Sequence, residues 1–424
     1  MNSPLFIPML KVGLVFALML AGIRFKLGIG LSILTGSLAL GLSFGLSPWE
    51  WVGTALDALA DTQLVLLLII IEAIMILSHL LETSGQSQKI MSTVSRHLKW
   101  ARLRLAFFPA LIGLLPMPGG AVFSAPMVKS ASEEFSVSAM DQTLVNYWFR
   151  HLWELIWPMY PGIILAASLS STSLLHFIGL TWPSFPICIL LGWIFFLRPH
   201  KTPLDPQASP TDASDAEHGS WIDTLPLVLA VGGTLVLQGL IWLTELPLPS
   251  ELGFILALLL AIWACLRRTN ISVQAVWPLL IKKHFVQMLF TLVAIFVFKE
   301  VLDQGGVVQE LAQGTSSASA LILISVLLPL VVGLISGITL AYVGATFPLI
   351  GGILDHLGLE NRLSYLVLAM FAGYAGVLGS PLHICFLLTC EFFKVNPFSA
   401  WLRILVPSSI FLATGCVYFW LLGM

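Results

Sequence analysis

The sequence predicts an all-α polytopic membrane protein: two inverted-topology repeats of five transmembrane helices, each with a re-entrant hairpin and a broken helix. Composition is the first reason. The 424 residues are 58% hydrophobic and only 10% charged, with a mean hydropathy of +0.95, whereas a soluble protein carries about 25% charged residues. Polar groups are too few to cover a surface in water, so the bilayer is the solvent. Repetition is the second reason. GLLPMPGGAVFSAPMV (113–128) has a counterpart in GLISGITLAYVGATFPLIGG (333–352), and NYWFRHLWELIWPMYPG (146–162) has one in YLVLAMFAGYAGVLGSPLHICF (365–386). Earlier in each half, LETSG (81–85) answers LDQGG (302–306). Each member of these pairs places Gly, and most of them Pro, inside or beside a segment apolar enough for a membrane. Corresponding broken hydrophobic segments in two halves of a chain are a sequence pointer to a secondary transporter and its binding site.

A spanning helix needs about 20 apolar residues. Candidates lie at 6–23, 28–46, 63–82, 142–170, 174–197, 222–245, 250–266, 284–303, 362–395 and 398–421. Of these, 142–170 and 362–395 carry Pro-bearing interruptions and read as broken helices. The stretches 103–130 and 319–354 are rich in central Gly and Pro; each can span the membrane or enter and leave on one side as a hairpin. The first repeat covers 1–197 and the second 222–424. Between them, 198–221 is rich in Pro, Ser, Asp and Ala and reads as a flexible cytoplasmic linker. The N-terminal run has no early basic cluster and no small-residue cleavage pattern, and is read as a retained first span.

Orientation follows from the positive-inside rule. With the N-terminus outside and both Gly/Pro-rich stretches re-entrant, every one of the 20 lysines and arginines except Lys11, Arg150, Lys299 and Arg362 falls on the cytoplasmic side. The loop 47–62, with Glu50, Asp57 and Asp61, falls outside, as does 304–318. Both termini are then outside and the two repeats are opposite in orientation, as expected of a multi-pass protein of a bacterial inner membrane. The basic stretch 86–104, with Trp100, reads as lying along the inner surface.

Backbone that is not helical is tolerated at membrane depth only where it is buried in protein or lines a wet cavity. The expected hairpin tips are Pro116-Met117-Pro118-Gly119-Gly120 and Ser336-Gly337-Ile338-Thr339. The expected breaks are Pro158-Met159-Tyr160-Pro161 and Gly379-Ser380-Pro381-Leu382-His383. Free N–H groups at half-helix N-termini suit an anion, and freed carbonyls suit a cation. A meeting of four such elements predicts a site for a small organic anion with a coupling cation beside it. Kinked, packed helices are the structural alternative.

Ionisable groups within spans are costly and point to function. Asn146, Arg150, His151 and Glu154 are read as lying on the helix before the first break. Arg150 and Glu154, at i and i+4, can pair on one face. Either Arg150 meets a substrate carboxylate while His151 or Glu154 takes a coupled proton, or Arg150 and Glu154 form a self-satisfied structural ion pair. His383 suits a substrate contact, a proton or a cap. Glu72, with His79 on the same face, suits a proton carrier or a packed carboxyl. Lys299 and Glu300 read as an interfacial pair. Ser124, Ser336, Thr339, Thr346 and Ser380 offer hydroxyls near the tips and breaks. Tyr147, Trp148, Trp153 and Trp157 read as packing or interface aromatics.

The hairpin PMPGGAVFSAP, the paired broken helices and the five-plus-five inverted plan resemble the ion transporter superfamily of secondary permeases, which includes gluconate, citrate, dicarboxylate and lactate permeases. The nearest resemblance is to a branch known only as a domain of unknown function, and it covers nearly the whole chain. It implies a scaffold and a moving transport domain of hairpins and broken helices, working by an elevator-like motion, often as a dimer. Sodium-coupled members carry Ser-Asn-Thr at both tips; Pro-Met-Pro-Gly-Gly and Ser-Gly-Ile-Thr stand here instead. The expected coupling ion is therefore a proton, with sodium left open.

Other classes find little support. HExxH and a paired-aspartate protease signature are missing, so no enzyme is expected. The net charge of −2 and the lack of a basic stripe give no reason to expect nucleic acid. Cys188, Cys265, Cys385, Cys390 and Cys416 lack metal-ligand spacing and read as small buried hydrophobes; no metal and no cofactor is expected. Two transport alternatives remain: a cation/proton antiporter using Glu72 with Glu154, and a permease subunit that needs a separate partner.

Overall fold

The computed structural model describes residues 6–86, 101–116, 120–133, 137–198, 221–244, 249–269, 271, 274, 276–312 and 317–423. Among these the chain is helical throughout, without a strand. Six helical stretches are long and apolar enough to cross a membrane: Phe6–Arg24, Thr62–Thr83, Leu174–Leu197, Lys283–Gln304, Ala318–Ser336 and Pro397–Leu422. Together with large outward-facing side chains such as Leu14, Leu323, Val417 and Trp420, they mark a multi-pass membrane protein.

The first half opens with α1 (Phe6–Arg24), α2 (Ile29–Ser43), α3 (Pro48–Leu59) and α4 (Thr62–Thr83). It continues with α5 (Ala101–Gly113), α6 (Ala121–Glu133), α7 (Ala139–Arg150), α8 (Pro161–Leu169), α9 (Leu174–Thr181) and α10 (Ser184–Gly192). Beyond residues 199–220, which make up all but the ends of the expected linker and lie outside the described residues, follow α11 (Leu225–Leu243), α12 (Ser250–Arg268) and α13 (Trp277–Leu280). Next come α14 (Lys283–Gln304), α15 (Val307–Ala312), α16 (Ala318–Ser336), α17 (Thr339–His356), α18 (Arg362–Leu378), α19 (Ile384–Phe393) and α20 (Pro397–Leu422). The expected surface stretch 86–104 also lies largely outside the described residues.

Both Gly/Pro-rich stretches hold a pair of packed helices, α5 with α6 and α16 with α17, and both expected broken helices are broken, α7/α8 and α18/α19. Two expectations need correction. The loop 47–62 holds α3, started by Pro48 and a capping box in which Ser47 and Glu50 satisfy each other's backbone N–H. The expected span 174–197 needs none: Leu174–Leu197 is one apolar stretch, with a turn at Pro183, which cannot donate to the helix ladder. The first break begins at His151, well before Pro158. The ring Nδ1 of His151 lies 2.6 Å from the Tyr147 carbonyl, the acceptor that a continuing helix gives to the 151 backbone N–H, while that N–H turns to Trp148 O.

The buried core is concentrated in α17 and α18, where nearly every side chain is enclosed. Close backbone approach makes α16 and α18 fit. A Cβ on Gly333 would collide with the Gly373 carbonyl, and one on Gly376 with the Leu330 carbonyl. Small residues at such crossings let helices associate without a hydrophobic drive. Across the halves, α8 packs on α17, and α19 packs on α6 and α7.

Candidate functional site

The two breaks, the second hairpin turn and the start of α6 meet in one place. Gly337 closes α16 with a φ of 64°, and its Cα faces the backbone of His383, the N-cap of α19. Thr339, the first residue of α17, lies against Gly162 near the start of α8. Gly120, before α6, lies under the Arg150 guanidinium. Asn146 Nδ2 donates to Ala121 O at the start of α6 and to Thr389 Oγ1 on α19, both at 3.1 Å.

Polar side chains fill the junction. Glu154 Oε2 accepts from Thr339 Oγ1 at 2.5 Å, and its Oε1 stands 3.8 Å from His151 Nε2. The His151 and His383 rings cross at 88° with centroids 4.6 Å apart, and the Tyr147 ring touches both. Cys385, in the first turn of α19, faces the same pair: one ligating atom from each of His151, His383 and Cys385 lies within 4.8 Å of the others, and all three residues are buried.

Two tyrosines tie the breaks together. Tyr147 OH, on α7, donates to Leu378 O at 2.9 Å and Val377 O at 3.3 Å, the carbonyl end of α18. Tyr374 OH, on α18, donates to His151 O at the end of α7. Tyr147 therefore caps Leu378 O at the end of α18, and Tyr374 caps His151 O just past α7.

The family described as a protein of unknown function, DUF401, matches residues 10–422. The chain belongs to that family. No curated protein matches it.

The structure sorts the expected site residues of this DUF401 chain. His151, Glu154, Gly337, Thr339 and His383 come together, with Asn146 and Gly120 alongside. Arg150 does not share a helix face with Glu154, because α7 ends at residue 150; the expected i,i+4 pair is corrected. Its Nη1 donates to Ile112 O at 3.2 Å and its Nη2 to Leu115 O at 3.4 Å, gathering the end of α5. Ser336 Oγ is used within its own turn, Ser380 Oγ donates to Leu334 O, and Ser124 and Thr346 bond back along their helices. Pro158 and Pro381 lie in turns, and Pro116 follows the end of α5; Pro118 and Gly119 lie outside the described residues. Farther away, Glu72 has both carboxylate oxygens buried without a hydrogen-bond partner among the described residues, and His79 meets Lys282 rather than Glu72. Lys299 pairs with Asp61 at 3.8 Å, while Glu300 accepts from Gln304, so the expected Lys299–Glu300 pairing is also corrected.

Sequence reasoning missed Tyr374, Cys385 and Thr389. Tyr374 carried a signal, because it stands shortly before the second break as Tyr147 stands before the first. Cys385 carried none, since its neighbours come from distant parts of the chain.

Proposed function

We propose that this chain is a secondary active transporter of a small organic anion, a carboxylate, which works by elevator-type alternating access with protons as the coupling ion. One observation carries the reading: the starts of α8, α17 and α19 converge from two discontinuous helices and a hairpin, and none of the three has a side-chain cap. Uncapped N-termini present free N–H groups and partial positive charge, which favour an anionic substrate. The Arg150 guanidinium at the first hairpin adds to that field.

The packing supports a pair of related halves. α6 lies on α19 as α17 lies on α8, and α2 lies on α14 as α12 lies on α4. These are the exchanges expected if 1–197 and 222–424 are repeats in opposite orientation, with α5–α6 and α16–α17 as the re-entrant hairpins. On this reading the hairpins and broken helices move, and α1, α2, α4, α11, α12 and α14 form the scaffold. The coupled proton is assigned to Glu72, since an unpartnered ionisable group inside a span marks an ion or proton path. The antiporter alternative needs Glu72 beside Glu154, and the bonds of Glu154 go instead to Thr339 and His151.

The test is thermal stabilisation of the purified protein by a panel of organic acids at two pH values, with and without sodium. A ligand of the folded state raises the melting temperature according to its occupancy. A carboxylate that stabilises without sodium, and that is then accumulated by proteoliposomes under an imposed proton gradient, supports the proposal. Stabilisation by sodium alone, with every acid inert, overturns it in favour of the antiporter.

A further inference from the structure

We propose that His151, His383 and Cys385 form a binding site for one thiophilic divalent cation of the zinc type, with Glu154 as the fourth ligand. The inference rests on the cluster's geometry and does not depend on the transport reading.

A tetrahedral zinc bound by nitrogen, sulfur and oxygen at about 2.0–2.3 Å holds neighbouring ligand atoms about 3.3–3.8 Å apart. His151 Nε2 and Glu154 Oε1 already stand 3.8 Å apart. The atoms of His151, His383 and Cys385 lie within 4.8 Å of one another, so closure needs about 1 Å of side-chain movement to reach the metal's spacing. The donors are prepared. A carbonyl can only accept, so the 2.6 Å contact with Tyr147 O fixes the proton of His151 on Nδ1 and leaves Nε2 with its lone pair. That is how metal-bound histidines are oriented by their second ring nitrogen. His383 is only 6% exposed, and its Nδ1 has no hydrogen-bond partner among the described residues. A buried polar atom left this way is costly, and a cation satisfies it. Two histidines, one thiolate and one carboxylate around a divalent ion also make an electrically neutral centre, which suits membrane depth. Thiolate with imidazole selects zinc-like ions over magnesium or calcium, which need oxygen ligands.

The site joins the two halves, since His151 and Glu154 come from the first break while His383 and Cys385 come from the second. The probe is cobalt(II), titrated into the chelator-treated full chain in detergent. One equivalent should produce a thiolate-to-cobalt charge-transfer band with the strong visible bands of a four-coordinate site, and zinc should displace it while excess magnesium does not. Cys385→Ser should remove the charge-transfer band. His383→Gln removes a ligand and should weaken binding by at least the roughly hundredfold that loss of a mere supporting partner can cost. Cys390→Ser, on the same helix but outside the cluster, should leave the spectrum unchanged. A wild-type protein without the band, a Cys385→Ser protein that keeps it, or a His383→Gln protein that binds as wild type overturns the proposal. Should Cys385→Ser not elute as a folded protein, the His383→Gln titration decides alone. Loss of the metal site with carboxylate stabilisation intact would leave the transporter reading standing.

Discussion

Gly337→Ala reports whether the second hairpin turn is held against the second break. Two costs add at this position. Gly337 has a φ of 64°, in the left-handed region, where a Cβ costs about 1–2 kcal/mol. A Cβ there would also stand 2.9 Å from His383 Cα and 3.0 Å from His383 N. Those are backbone atoms, so relief requires the turn and the break to part, an overpacking cost of about 1–3 kcal/mol. The sum is about 2–5 kcal/mol. Gly358 supplies the control, because its φ is 63° and a Cβ there meets nothing within 4 Å. Gly358→Ala should therefore cost only about 1–2 kcal/mol. Unfolding in mixed micelles with increasing SDS measures both variants, and proteoliposome uptake measures transport. The expected result is a larger stability loss for Gly337→Ala, with uptake abolished there and retained in Gly358→Ala. Equal stability losses would refute the close approach, and normal uptake by Gly337→Ala would remove this turn from the moving site.

Three further outcomes are expected. Thr339→Val removes the donor to Glu154 Oε2 and should destabilise by about 1–3 kcal/mol, with Thr339→Ser restoring most of it in the same micelle assay. Arg150→Lys replaces a fork that reaches two carbonyls of the first hairpin with a point charge; a lower melting temperature with unchanged carboxylate affinity would make Arg150 a structural residue, and a weakened affinity would make it a substrate contact. A cysteine introduced as Glu50→Cys should be labelled by an impermeant maleimide on intact cells, and one introduced as Pro210→Cys only after permeabilisation; the reverse pattern would invert the topology.

What the sequence disclosed and what it hid follow from how far each determinant reaches. The second turn was readable because Gly337 and the Gly379–Pro381 run act on their own backbone. α3 was missed, although the Ser47–Glu50 capping pattern behind Pro48 is local, because its short amphipathic stretch does not register as a span. The start of the first break was hidden, because no Pro or Gly marks it. His151 diverts the Tyr147 carbonyl, and Tyr374 takes the His151 carbonyl from the other half of the chain. The same limit hid Cys385. Metal-ligand spacing is a local pattern, and this cluster draws on residues 151, 383 and 385, which only the packing of α19 on α7 brings together.

The cross-capping by Tyr147 and Tyr374 bears on how such a chain could move. Each hydroxyl bonds a carbonyl at the end of the other half's broken helix, and both bonds are buried. Separating the two breaks would orphan both helix ends at once, and each unmade buried bond costs about 1–3 kcal/mol. The Asn146 bonds to Ala121 and Thr389 add to the same seam. On the elevator reading, the breaks therefore travel as one body and the sliding surface lies elsewhere. The face of α17 toward α14 and α15 fits that role. Gly344 there leaves room only for Ile295, and Gly352 only for Val308, so apolar side chains lie against bare backbone. Contacts of that kind carry no directional bonds to break, whereas the junction of the breaks is made of them.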